Sequence, residues 1–159
     1  MESAVTSALD ALGVDYQTMP CDPEFADTAA FCERYGIAPE DSANAIVLAS
    51  KRPQGVYAMF LVLAVSRLDV NGRCRSLMDV KKVSFADAET TRRITGMEIG
   101  GVTPFGASGN LPVFVDAAVM ERTQVVVGGG SRAMKVTVAP DAFTAMGATV
   151  VEDLAARIQ

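Results

Sequence analysis

Residues 96–138 read GMEIGGVTPFGASGNLPVFVDAAVMERTQVVVGGGSRAMKVTV, and the fold class follows from how this stretch divides. Its first part, Gly96–Pro112, carries five glycines and two prolines around the apolar residues Val102 and Phe105. Such a run holds neither helix nor strand well, and it presents backbone N–H groups with no side chain in the way. An oxyanion hole or a phosphate cradle needs that property, and structureless loops of this length are uncommon unless they serve a function. The second part breaks into short strands, Val113–Asp116 and Gln124–Val127, either side of a helical turn at Ala117–Arg122. Gly128–Gly130 then connects tightly into Ala133–Val138. The glycine cluster lacks GxGxxG spacing and a GK[ST] ending, so it reads as a hairpin turn rather than a nucleotide loop. Strands this close leave no room for βαβ crossovers, which makes the sheet antiparallel or mixed.

Outward from that stretch, the N-terminal third alternates helix and strand. Ser3–Leu12 places Ala4, Val5, Ala8, Leu9 and Leu12 at helical spacing and stops at Gly13. Val14–Met19 reads as a short strand. Asp27 is the N-cap of a helix with Phe31, Cys32 and Tyr35 on one face, ended by Gly36. Ala43–Ala49 and the ten-residue apolar run Val56–Val65 are buried strands. Asp69 caps a short helix through Leu77, Val83–Phe85 is a strand, and Asp87 caps a helix ending near Gly96. Beyond the opening stretch, Pro140 opens a helix through Met146, and Glu152–Ile158 is expected to close the chain as a helix. The class is therefore α+β: one compact domain over residues 1–159, a curved mixed or antiparallel sheet with flanking helices.

Composition removes whole classes of chemistry. The chain has no histidine, so there is no Ser–His or Cys–His couple, no HExxH zinc site and no imidazole acid–base. Cys21, Cys32 and Cys74 show no CxxC spacing and read as buried apolar thiols, so no metal or cofactor is expected. No apolar run reaches the roughly 18 residues of a membrane span. The N-terminal MESAVTSALD has an acid and no basic region, so a secretory signal is not read and a cytoplasmic location is the expectation.

The net charge of −5 is unevenly distributed. Residues 1–50 carry nine acids against Arg34 alone. Residues 51–93 carry nine bases against four acids, a local balance of +5. A basic middle third fits contact with one nucleic-acid end, while the acidic total argues against general DNA binding. Ordinary solvated surface is the alternative reading of the same residues.

Read in order, GMEIGGVTPFG, LPVFVDAA and VVVGGGSRAMKV resemble the YbaK/ProX aminoacyl-tRNA deacylase family, which includes the editing domain inserted in bacterial prolyl-tRNA synthetases. The likeness extends to CDPEFADTAAFCERYGIAPED, which is similar to the family's helix before its first core strand. The resemblance implies a compact domain with a curved sheet around a small pocket. It implies hydrolysis of the ester that joins a wrong, small amino acid to the 3′ end of a tRNA. The tRNA acceptor end is then the partner, without DNA or membrane, and association with a synthetase is an open expectation. It further implies that amides of the loop Gly100–Gly106 surround the scissile carbonyl, and that the terminal ribose hydroxyl assists the attacking water.

On that footing Gly100, Gly101, Val102 and Asn44 are the catalytic candidates. Thr103, Pro104, Phe105, Gly106, Asp116, Gly129, Gly130, Ser131 and Arg132 are the substrate-binding candidates. Asp116 is read equally as a cap for the following turn. One position departs from the family pattern: SANAIVLAS places Asn44 where the family's deacylases carry a lysine. Asn44 is a working polar contact, or Lys51, Arg132 or Lys135 supplies the charge, or the pocket binds without hydrolysing; a purely structural Asn at a strand edge is the plain alternative. Binding without hydrolysis is the alternative function, a binding or regulatory domain, with hydrolysis of a small non-tRNA ester a third.

Overall fold

The computed structural model describes residues 1–107 and 111–158; Ser108–Asn110 of the glycine-rich loop lie outside them. Helix α1 (Glu2–Leu12) buries Val5 and Leu9 and ends at Gly13 in the left-handed region, φ 69°. It is followed by β1 (Tyr16–Pro20), α2 (Thr28–Tyr35), β2 (Ala43–Arg52), β3 (Gln54–Leu63) and β4 (Ser66–Leu68). Then come α3 (Arg75–Met78), β5 (Lys82–Phe85), α4 (Ala88–Thr95), β6 (Val113–Asp116), α5 (Ala117–Met120), β7 (Val125–Gly128) and β8 (Met134–Val138). The chain continues with α6 (Asp141–Ala145), β9 (Thr149–Val151) and β10 (Ala155–Arg157).

The main sheet has five strands in the order β5-β2-β3-β6-β9. Strand β2 runs antiparallel to β3 and β5, whereas the β3–β6 and β6–β9 pairs are parallel. A three-stranded antiparallel sheet, β1-β8-β7, is joined to it by a parallel bridge between Ser42 and Val126. The sheet is therefore mixed, with helices flanking it, as the close strand spacing requires.

Strand β3 explains the long apolar run. Met59 and Leu61 face the main core, where the rings of Phe105 and Phe143 stack at 5.4 Å. Phe60 and Val62 face a second cluster, where Phe60 stacks on Phe114 at 5.2 Å. A strand covered on both faces loses the polar alternation of an ordinary antiparallel strand.

Two expectations are corrected. Glu152–Ile158 is not a helix. Asp153 takes a left-handed turn at φ 56°, and β10 then pairs antiparallel with β4, with the Ile158 N–H donating to the Val65 carbonyl at 2.7 Å. Ala-Ala-Arg favours helix locally, but the unpaired edge of β4 offers a full set of backbone partners, and tertiary context overrides propensity. Asp69 caps a wide π-type turn over Val70–Cys74 rather than a regular helix, accepting from the N–H groups of Gly72 and Arg73 at 3.1 Å each. Strands β4 and β9, of three residues each, were too short to leave a periodic signal.

Candidate functional site

The start of β2, the turn after β5 and the glycine-rich loop enclose a cavity of about 280 Å³, completed by β7, β8 and the N-terminus of α2. Asn44, Gly100, Val102, Gly128 and Lys135 line it together with Asp27 and Thr28. Sequence reading placed Asn44 and the loop amides in one site, and the fold brings them to one cavity.

Asn44 is oriented by its neighbour. Thr28 Oγ1 donates to Asn44 Oδ1, so the carboxamide oxygen is engaged by the first turn of α2. The amide nitrogen, with two donor hydrogens, has no acceptor among the described residues.

Lys135 lies on β8, where Val136 and Val138 pack into the main core and Lys135 alternates to the opposite side. It is only 6% exposed. Its Nζ donates to the carbonyls of Ala26 and Gly100 at 2.7 Å each, and sits 5.2 Å from the Phe31 ring centroid. Its third hydrogen has no acceptor among the described residues. Burial pulls the ammonium below the usual lysine range; Asp27 and the thiols of Cys21 and Cys32 oppose that shift, and Arg132 adds to it. Of the three cations considered from sequence, Lys135 alone lines the cavity. Lys51 is exposed at the far end of β2.

Arg132 braces the site from behind. It donates to the Pro23 and Ile99 carbonyls and pairs with Asp27 at 3.1 Å. This engagement explains why Asp27, the N-cap of α2, makes no side-chain capping bond there. Gly100 sits at φ 92°, and a Cβ on it would come within 2.5 Å of Arg132 Nη1. A side chain is strained there by the backbone conformation and would displace the Arg132 head from its carbonyl partners.

The loop amides differ sharply. Gly101 N–H donates to the Glu98 carbonyl at 2.8 Å, and Thr103 N–H to Met97 Sδ at 3.5 Å. The N–H groups of Gly100 and Val102 have no acceptor among the described residues, and both residues line the cavity, whereas Gly101 does not. Thr103, Pro104 and Phe105 are buried, Phe105 against Phe143. Gly106 lies against the backbone of α1.

The second glycine cluster is also mostly structural in position. Gly128 lines the cavity, but Gly129 packs on the Met134 backbone and Gly130 on Met1 at the start of α1. The Gly130 N–H donates to the Gly101 carbonyl at 2.7 Å, locking the two glycine loops together. The Ser131 hydroxyl donates to the Glu2 carboxylate. Asp116 is buried away from the cavity, where it accepts from the Leu154 N–H at 3.3 Å and burial raises its pKa. It anchors the approach to β10.

The arrangement places several hydrogen-bond donors on residues that line one small cavity, with Asp27 tied to Arg132. A model of the aminoacyl-tRNA editing domain matches residues 22–145, which include every residue lining that cavity. The chain belongs to the aminoacyl-tRNA editing domain family. Solved structures share the fold of this editing domain over nearly its whole length. The hypothetical protein APE2540 superposes with a TM-score of 0.84 at 22% identity, covering 96% of this chain and 99% of that one. A candidate trans-editing enzyme for prolyl-tRNA synthetase gives a TM-score of 0.81 at 23% identity, covering 95% and 94%. The editing-domain fold also matches 31% of a candidate signal transduction protein from Marinobacter aquaeolei VT8, at a TM-score of 0.68 and 14% identity over 99% of this chain. No helix among the described residues is long and apolar enough to cross a membrane.

Proposed function

We propose that this editing domain is a free-standing deacylase that hydrolyses the ester between a small amino acid and the 3′ end of a tRNA. The observation that carries this reading is the concentration of unpartnered donors on one small cavity: the Asn44 amide, the third Lys135 hydrogen, and the Gly100 and Val102 N–H groups. At about 280 Å³ the cavity lies just below the range of ordinary ligand pockets, which suits a small aminoacyl group. Hydroxyls of Thr28, Ser42 and Thr91 are present, but the chain has no histidine to activate them as nucleophiles.

In this mechanism a water oxygen attacks the ester carbonyl carbon, assisted by the free hydroxyl of the terminal ribose. The carbonyl oxygen gains negative charge and is met by Lys135 and the free loop amides. The ester C–O bond then breaks, the ribose oxygen takes a proton, and the amino acid and tRNA leave. Donors already in place before charge develops stabilise the transition state without reorganisation. Lys135 is the cation of the site, and Asn44 orients the ester or the ribose. The nine bases of residues 51–93 are all exposed and none lines the cavity; Arg73 donates to the Glu152 carbonyl and Arg93 to the Tyr57 hydroxyl, and the set as a whole presents positive charge to the acceptor stem.

The test is deacylation of tRNAs mischarged with Ala, Ser, Thr or Cys, by wild type and by Lys135→Met and Asn44→Ala. Turnover of one small aminoacyl ester, with kcat lowered about 10²- to 10³-fold in Lys135→Met, supports the mechanism. No turnover by wild type on any of the four overturns it, and salt-sensitive tRNA binding without turnover identifies a binding domain instead.

A further inference from the structure

Five large apolar side chains are substantially exposed among the described residues: Met1, Phe85, Ile99, Val150 and Ile158. Two of the five, Phe85 and Ile99, line the same small cavity as Asn44 and Lys135. Phe85 is the more exposed, at 62%, and ends the edge strand β5. It is paired with Leu48 of β2, so the backbone beneath the ring is fixed in the sheet. Phe85 also lines a second, shallower groove with Arg67, Asn71 and Arg157, among others. Nothing in the core needs that ring. Exposed apolar side chains gathered at one cavity mark a ligand surface rather than a packing one.

We propose that Phe85 and Ile99 form a nucleobase subsite at the mouth of the cavity, with the base of the terminal nucleoside stacked on the Phe85 ring. The inference rests on the proposed deacylase reading and specifies the nucleoside end of its substrate. A cavity of this size holds the aminoacyl ester and leaves the base outside the donor-lined interior. A base has an apolar π-face and a polar edge. It is best held by a rigid exposed ring that leaves the edge in water, and sequence-tolerant binding of unpaired bases relies on such rings. Ile99 lies next to Gly100, and its carbonyl is held by Arg132 at 2.9 Å, so this side of the mouth is also fixed before a ligand arrives. The groove beyond Phe85 gives the preceding nucleotides a surface carrying two arginines, balanced by Asp69 and Asp153.

The experiment compares two probes on wild type, Phe85→Ala and Phe85→Tyr. One probe is adenosine carrying alanine through a non-hydrolysable 3′-amide; the other is alanine methyl ester, which has no base. Circular dichroism and thermal melting of each variant accompany the measurements, and an exposed ring at a strand end leaves them unchanged. The expected result is weaker binding of the adenosine probe by about 5- to 150-fold in Phe85→Ala. Phe85→Tyr retains it, and the methyl ester does not distinguish the three proteins. Equal loss for both probes in Phe85→Ala overturns the subsite, because the ring would then shape the cavity itself. Wild-type binding of the adenosine probe that Phe85→Ala leaves unaltered overturns the subsite alone. Failure of wild type to bind the adenosine probe at all removes the deacylase reading together with it.

Discussion

Gly101→Ala tests how tightly the two glycine loops are locked. A Cβ on Gly101 would lie 2.2 Å from the Ser131 carbonyl oxygen and 2.5 Å from its carbon. Ordinary contact begins at 3.4 Å, so the two loops must part by about 1.2 Å. Both neighbours are backbone, and no side-chain rotation relieves the clash. Parting them by that distance breaks the 2.7 Å bond from Gly130 N–H to the Gly101 carbonyl. Overpacking costs about 1–3 kcal/mol, and each polar group left unpaired in a buried place costs about 1–3 kcal/mol more. With one group left unpaired, a loss of about 2–6 kcal/mol is therefore expected, visible in urea unfolding as a midpoint lowered by roughly 1–3 M at an unchanged slope of about 2 kcal/mol/M. Gly36→Ala is the contrasting case: Gly36 sits at φ 68°, where Gly101 has no positive φ, and a Cβ there meets nothing within 4 Å, so backbone strain alone costs only about 1 kcal/mol. A Gly101→Ala protein as stable as wild type to within about 0.5 kcal/mol would refute the reasoning. Loss of activity in this variant would report on folding, because its N–H already serves Glu98.

Two further predictions concern titration. Burial lowers the Lys135 pKa in the folded state, so between that value and about 10.5 the unfolded chain binds more protons than the folded one. Wild-type stability should therefore rise with pH through that window relative to Lys135→Met, measured by denaturant unfolding in steps from pH 7 to 10.5. Parallel curves would refute it. Cys74 is pushed up to about 12, chiefly by burial, and all three thiols are buried. A thiol reagent at pH 8 should leave Cys74 unlabelled until the protein is unfolded, and rapid labelling of the native protein at Cys74 would count against the packing described.

The sequence by itself determined the class of chemistry and most of the elements. The absence of histidine removed whole mechanisms outright. Gly13, Gly36 and Gly96 end three helices in the left-handed region, as local rules require. Asp87 caps α4 through the Thr90 N–H at 2.7 Å, again a local contact. The glycine-rich loop was legible as a candidate site because backbone bareness is written in the chain, whereas Asn44 joined it only through the family resemblance, as the residue at the position of the family's lysine.

Tertiary structure decided which of those groups remain available. A local turn back to Glu98 occupies the Gly101 amide, but the loop's position depends on Gly130, far along the chain. Asp116 and Lys135 both sit on strands with apolar neighbours, and sequence alone does not separate a structural anchor from a cation lining the cavity. Strand pairing separates them, carrying Asp116 towards Leu154 and β10 while β8 turns Lys135 towards Gly100. Strand β10 was misread for the same reason: its partner edge exists only after folding. Local propensity acts over a few residues, whereas the satisfaction of buried polar groups is settled between segments remote in sequence.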